Sequence, residues 1–229
     1  EIHISLKSTR AVLLPSDELA KIGFAKNGIV ETIVSTFDKN RNPTAAPIGV
    51  SMVDENHITL SIFKTTKTYK NLEEKKCGAA NITSDPIVFH RTVFKDVNSE
   101  GKLPKEWFTQ ASNVDAPYLR NADAFIEFRV IKLTESSEKV KVLCRVHKIR
   151  IIRKNLIQVY HRAKSAVIES IIHATRIEVF LAAGKNKKAK ELIELVNHYN
   201  KIVNKVAPNS TYSHIMIDIQ RRIKKWNKK

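Results

Sequence analysis

Only two cysteines, Cys77 and Cys144, occur in 229 residues, each inside an apolar segment. Two isolated thiols do not make a disulfide framework or a thiolate zinc site, and buried free cysteines are the expected state. Aromatic residues are sparse, at 7%. Neither an RNP-type aromatic strand nor zinc-finger spacing occurs, which removes the usual platforms for stacking and reading bases. No run of eighteen apolar residues appears, so no membrane-spanning helix is expected. No basic-then-apolar leader opens the chain, and a cytoplasmic location is the expectation. Also missing are a P-loop, a G-x-G-x-x-G turn and a Ser-His-Asp set, so nucleotide hydrolysis, Rossmann-type dinucleotide binding and acyl transfer lack support. His147, His161 and His173 have no second ligand at metal spacing, so no metal site is expected and they read as surface or satisfied core groups. No residue stands out as a catalytic acid, base or nucleophile.

Acidic residues are the other shortage: 23 Asp and Glu face 40 Lys and Arg, for a formal charge of +17. The cations cluster at 148–154, at 185–190 and in the tail 221–229. Such a field steers polyanions and small anions alike. Charge without a reading motif does not specify a sequence, so specific nucleic-acid recognition is not expected; lysine-rich surfaces also accompany thermal adaptation. The tail lies beyond the motifs described below, and its removal is expected to leave cofactor binding and assembly intact.

With 42% hydrophobic residues the chain can bury a proper core. Before residue 160, β-branched runs predict strands over 29–37, 45–53, 57–63, 78–83, 124–133 and 140–152. Polar turns at 38–43 and 54–56 make the first three an antiparallel meander. Residues 95–121 form an excursion too long for a hairpin, either a binding loop or a loosely packed insertion. After 160 the periodicity becomes helical, predicting helices over 162–183, 187–206 and 212–226, with Pro208-Asn-Ser210 breaking the last two apart and Ser210 as a cap. The weakly patterned residues 1–27 hold one short helix start at Ser16-Asp-Glu-Leu19. About six antiparallel strands joined by one short helix suggest a small closed or nearly closed β-barrel, because closure removes exposed edges. The fold class is therefore α+β.

The stretch between Ser61 and Thr83 reads as strand, turn, short helix, strand. Lys64, Thr65, Thr66, Lys67 and Thr68 load the turn, and a helix over 69–76 follows with Glu73 and Glu74 outward. A helix N-terminus, threonine hydroxyls and lysine charges together suit a phosphate monoester. The competing reading is that Thr66 or Thr68 only caps the helix. Glu31 lies in an apolar strand and is read as pairing with a cation such as Arg176, the alternative being a tuned acid. Arg162 and Arg176, fourteen residues apart on one helix, fall on nearly the same face and are read as bracketing Glu169 and bracing the helix on the barrel, the alternative being that Arg162 reaches the phosphate.

Four blocks carry a family resemblance: Gly28-Ile-Val-Glu-Thr-Ile-Val-Ser-Thr36, Asn42-Pro-Thr-Ala-Ala-Pro-Ile-Gly-Val50, Lys67-Thr-Tyr-Lys-Asn-Leu72 and Ala79-Ala-Asn-Ile-Thr-Ser-Asp-Pro86. Together they resemble the FMN-binding split β-barrel superfamily. With the later segment 162–176, the chain looks like its mainly archaeal, functionally uncharacterised branch, in which helices follow the barrel. The resemblance covers roughly residues 28–183. It implies a homodimer with FMN at the subunit seam, and a division into an N-terminal extension (1–27), a flavin barrel (28–158) and a helical region (159–229).

Carried over, it puts the backbone of Ala46, Pro47, Ile48 and Gly49 along the polar edge of the flavin ring, with Gly49 permitting close approach. Phe63, Lys64 and Thr65 would close over ribityl and phosphate, Thr68 and Asn71 match the flavin-reductase pattern, Lys64 or Lys67 would neutralise the phosphate, and Asn81 would reach the ring edge. Ile48, Val50 and Ile62 are read as strand surface that a symmetric partner covers. The phosphate arginine of pyridoxine-phosphate-oxidase-like members has no counterpart here. The implied function is an FMN flavoprotein, an oxidoreductase of flavin-reductase-like type with an unspecified substrate. The alternative is a non-enzymatic flavin carrier or a nucleic-acid-binding module using the C-terminal helices.

Overall fold

A computed structural model describes residues 18–20, 22–24, 28–152 and 162–227. The readings of Ser16, Asp17, His161 and the cations at 153, 154, 228 and 229 fall outside the described residues. Six strands close into an antiparallel barrel, β1 (Ile29–Phe37), β2 (Pro43–Asp54), β3 (His57–Phe63), β4 (Cys77–Ile82), β7 (Ala124–Glu135) and β8 (Lys139–Ile151), in the order β1-β2-β3-β8-β7-β4. The short strands β5 (Phe108–Gln110) and β6 (Pro117–Leu119) pair with each other inside the excursion.

Alternation along the strands sorts the side chains into two cores. Val34, Ile48, Val50, Leu60, Ile62, Ile126, Phe128 and Val142 fill the barrel. Ile48, Val50 and Ile62 are thus interior, at 9%, 0% and 1% exposure. The expectation that they form partner-covered surface is corrected by the register: each points inward, as does Val34, whose β2 partner is Ala46. The intervening outward residues Ile33 and Ala45 join a second core with helix α2 (Pro86–Val93) and the C-terminal helices α3 (Arg162–Ala182), α4 (Asn186–Val206) and α5 (Thr211–Trp226). Small residues Ala163, Ala166, Ser170 and Ala174 recur on the buried face of α3 at helical spacing. The start of α5 is fixed by a reciprocal cap in which Ser210 accepts from the Ser213 amide, as its sequence suggested.

An ion network joins the two halves. His90 on α2 meets Asp218 on α5 at 3.0 Å, and Arg222 donates to Asp218 at 2.7 Å and to Asp96 at 2.8 Å. The Arg222 guanidinium also lies 4.3 Å from the Phe94 ring centre. Although burial opposes it, donation from Arg222, His90 and Arg221 holds Asp218 down at about 2, whereas burial lowers His90. Both groups are depressed relative to the unfolded chain, so each contributes stability that is complete at high pH and lost on acidification. For His90 the loss starts below about pH 6.5, and for Asp218 it runs from about pH 4 toward 2. Denaturant midpoints should therefore fall between pH 7 and pH 5 and again below pH 4. In Asp218→Asn the lower step should shrink to what Asp96, Asp38 and Asp54, also held below their usual range, contribute.

Candidate functional site

The helix after β3, α1 (Lys67–Lys75), has its N-terminus at the open end of the barrel. Thr66 is its N-cap and accepts from the Tyr69 amide at 3.2 Å, so the capping reading holds for that threonine. Glu73 and Glu74 are exposed. Leu72, fully buried, presses α1 onto the barrel beside Gly78, where an added Cβ would lie 2.7 Å from the Phe128 ring and 3.2 Å from Leu72.

Beside α1 opens a cleft of about 690 Å³. Lys67 and Asn71 line one wall, Asp38 and Asn42 of the β1–β2 turn with Thr44 at the start of β2 another, and Arg91, Lys95 and residues 99–106 the third. Asn71 is almost buried and donates to Thr36 at 2.9 Å, which fixes its amide while leaving its carbonyl and second hydrogen for other partners. Lys95 donates to Thr44 at 2.7 Å. Its ammonium is half-buried, and burial first, then the charge of Lys67, pushes its pKa down. Asp38 is spent on the turn: the backbone amides of Asn42 and Asn40 and the Asn42 side chain hold its carboxyl below the usual range.

The excursion is locked rather than loose. Asn98 is buried, accepts from Arg91 at 2.6 Å and donates to the backbone of Arg91 and Lys95. Arg222 holds neighbouring Asp96. The tail is therefore structural, against the expectation that it lies apart from the site. Further along, fully buried Glu127 accepts from the Ser112 and Asn113 amides.

A second feature is the seam between β2 and β3. Their ladder runs from Asp54 only to Val50↔Leu60, while β2 stays paired with β1 down to Pro43. Residues 44–49 of β2 thus present one edge that no strand among the described residues uses. Pro47, which has no N–H to give, sits in this half-paired stretch, where proline is tolerated. Beneath it the Cβ space of Gly49 is taken by Ile29 at 2.9 Å and Glu31 at 3.6 Å. Gly49 thus admits β1 side chains. Burial raises the Glu31 carboxyl, with Arg176 opposing and Glu169 adding to the shift. Arg176 acts on it through space, without an ion pair within 4 Å among the described residues. His173, packed 6.0 Å from Tyr199, keeps a buried Nδ1 without a hydrogen-bond partner.

The sequence-derived site residues divide accordingly. Lys67 and Asn71 meet in the cleft, and Ala46, Pro47, Ile48 and Gly49 lie along the open edge of β2. Lys64 instead pairs with Glu135, Phe63 stacks under Lys139 at 4.5 Å, Thr65 is exposed, and Thr68 is buried outside the cleft lining. Asn81 is fully buried and fully committed. It donates to the Ile33 carbonyl at 2.6 Å and to Ser35 at 2.8 Å, and accepts from the Leu119 amide at 2.6 Å. It ties β1, β4 and β6 together, and its full burial keeps it from a ring edge. Thr44, Arg91 and Lys95 went unread. For Lys95 the signal is the unusual length and lysine content of the excursion it opens; Thr44 lies in the 42–50 block and Arg91 on α2.

Residues 30–153 match the N-terminal domain of a family described as proteins of unknown function (DUF447), and residues 161–219 match the second part of that family. An uncharacterized protein of Methanocaldococcus jannaschii is 26% identical over 190 residues, 78% of this chain and 90% of the relative. The crystal structure of an FMN-bound protein from Methanosarcina mazei, of the same family, is 28% identical with a TM-score of 0.70, covering 89% of this chain and 99% of the other. Flavoredoxin of Desulfovibrio vulgaris is more distant, at 17% identity and TM-score 0.44 over 66% of this chain and 76% of its own. Matched through both barrel and helices, the chain belongs to the DUF447 family.

Proposed function

We propose that this chain is an FMN-binding flavoprotein of flavin-reductase-like type, acting as a homodimer in which the flavin lies along the open edge of β2 with its phosphate in the cleft beside α1. The observation that carries the reading is the convergence of Lys67, Asn71 and Thr44 in one cleft, with Thr44 at the start of the β2 stretch whose second edge no strand among the described residues uses. The FMN carried by the Methanosarcina mazei relative supports it.

The donor set fits a phosphate monoester. Lys67 supplies charge, Asn71 an amide held in place by Thr36, and the first turn of α1 its unpaired N–H groups. Lys64 is left out, because Glu135 neutralises it. Along 46–49 the backbone groups that are not turned to β1 face the open edge and suit a polar ring edge, Pro47 having a carbonyl only and the Ile48 carbonyl already accepting from the Thr32 hydroxyl at 3.0 Å. Bound flavin supplies hydride and electron transfer; the protein orients it and excludes water from one face. Exposed Ile29 and Val53, at 71% and 48%, mark an outer barrel surface suited to a second copy. The division into an extension, a flavin barrel and a helical region belongs to the same proposal.

Flavin titration tests it. Replacing Lys67 and Asn71 together by Ala should weaken FMN binding by about 100- to 10,000-fold, since each charge-assisted contact is worth roughly 1.5–3 kcal/mol. Riboflavin, without the phosphate, should bind weakly and respond little. Equal affinity of the wild type for FMN and riboflavin would refute the phosphate placement. Light scattering on the loaded protein should give twice the 26.1 kDa chain mass, and a flavin-bound monomer would remove the dimer from the reading.

A further inference from the structure

The cleft contains a cation that the resemblance does not account for. Lys95 comes from the turn after α2, far in sequence from the strand-helix motif at residues 64–72, yet lines the same space as Lys67 and Asn71. Its ammonium donates to the neutral Thr44 hydroxyl at 2.7 Å, and no carboxylate among the described residues lies within ion-pair distance of it. The charge that acts on it most is that of Lys67, which repels it. Two ammonium groups thus share a partly desolvated cleft; its acids Glu100 and Glu106 are not within ion-pair distance of Lys95, and Glu100 meets Lys102 at 3.8 Å. Asp38, the acid nearest the β1–β2 turn, is occupied by the amides of Asn40 and Asn42.

The position is also built. Asn98 clamps the backbone of Lys95 and Arg91, and Arg222 grips adjacent Asp96 from α5. A lysine meant only for solubility needs neither a buried amide under its backbone nor an ion pair at the next residue. Held there, a second positive charge opposite Lys67 matches a doubly charged phosphate monoester better than a neutral or singly charged group.

We propose that Lys95 is the specificity-determining residue of the cleft: with Lys67 it clamps the terminal phosphate dianion of FMN from the opposite side and sets the preference for FMN over riboflavin. It takes the place of the phosphate arginine that the strand-helix motif lacks. This rests on the flavin reading above.

The test is a fluorescence titration of the full chain with FMN, riboflavin and inorganic phosphate as a competitor, for the wild type, Lys95→Met and Lys95→Arg. Met keeps the length of the stem without the charge; Arg keeps the charge. The FMN dissociation constant of Lys95→Met should rise by about 10- to 100-fold, the range of one charge-assisted hydrogen bond. Riboflavin binding should stay unchanged, which also shows that the variant is folded, and phosphate should no longer compete. Lys95→Arg should restore most of the FMN preference. If Lys95→Met keeps the wild-type ratio of FMN to riboflavin affinity, the proposal is overturned while the flavin reading stands. Loss of FMN and riboflavin binding in equal proportion also overturns it, showing a structural role instead. A wild type that binds neither flavin overturns both.

Discussion

Arg222→Ala is expected to lower the free energy of unfolding by about 3–5 kcal/mol, the range for removing one partner of a buried ion pair. The side chains of Arg222 and Asp218 are only 16% and 12% exposed, and the substitution leaves Asp218 with the imidazole of His90 and the largely exposed Arg221. It also frees Asp96 and removes the guanidinium from the face of Phe94. Because Asp96 adjoins Lys95, the same change should weaken FMN binding although residue 222 does not line the cleft. Deleting everything after residue 220 should do both more severely, since Ile223 and Trp226 leave the second core as well. Urea unfolding and flavin titration on one preparation measure the two effects together. Lost stability with unchanged FMN affinity would mean that the turn at 94–98 holds its shape without α5.

Gly78→Val should be the most damaging single substitution near the barrel mouth. Any Cβ there meets the Phe128 ring at 2.7 Å, and both Phe128 and Leu72 are fully buried, with no free volume to retreat into. Overpacking of this kind costs about 1–3 kcal/mol. The β-branched side chain adds two more carbons at the point where α1 rests on the barrel. The helix should be displaced, and with it Lys67 and Asn71, so FMN affinity should drop beyond what the stability loss explains. Gly78→Ala with near-normal FMN binding and an unchanged unfolding midpoint would show that α1 does not depend on this contact.

The barrel was legible because its signals are local. Runs of Val, Ile and Thr with polar turns gave all six strands within two residues of their ends, and apolar spacing gave the three C-terminal helices. Helix α2 escaped because its eight residues, Pro86-Ile-Val-Phe-His-Arg-Thr-Val93, are rich in β-branched types; its start signal was Asp85 before Pro86, which together form an N-cap and first turn. The inward direction of Ile48 and Ile62 was misread because a strand's period shows two faces without saying which is inside. Thr68 and Asn71 looked alike on the short helix, yet only Asn71 reaches the cleft. Asn81 looked available because its hydrogen bonds go to Ile33, Ser35 and Leu119, up to 48 residues away. The support of Lys95 from Arg222 could not be read from spacing, since Arg222 lies 126 positions from the Asp96 it grips, and only the Asn98 clamp is local.

The early parting of β2 from β3 makes occupancy a matter of protein lifetime. A strand edge left open in a small barrel is a place where water and proteases enter, and a molecule that binds there only in the folded state adds RT ln(1 + [L]/Kd) to the cost of unfolding, about 2.7 kcal/mol when it stands at a hundred times its Kd. On the flavin reading, the cofactor is the missing rung of the ladder, and the protein is most durable when cofactor is plentiful. Copies made in excess of the flavin supply would open at the seam first and be cleared first, so that the amount of folded protein follows the amount of cofactor without any dedicated regulator.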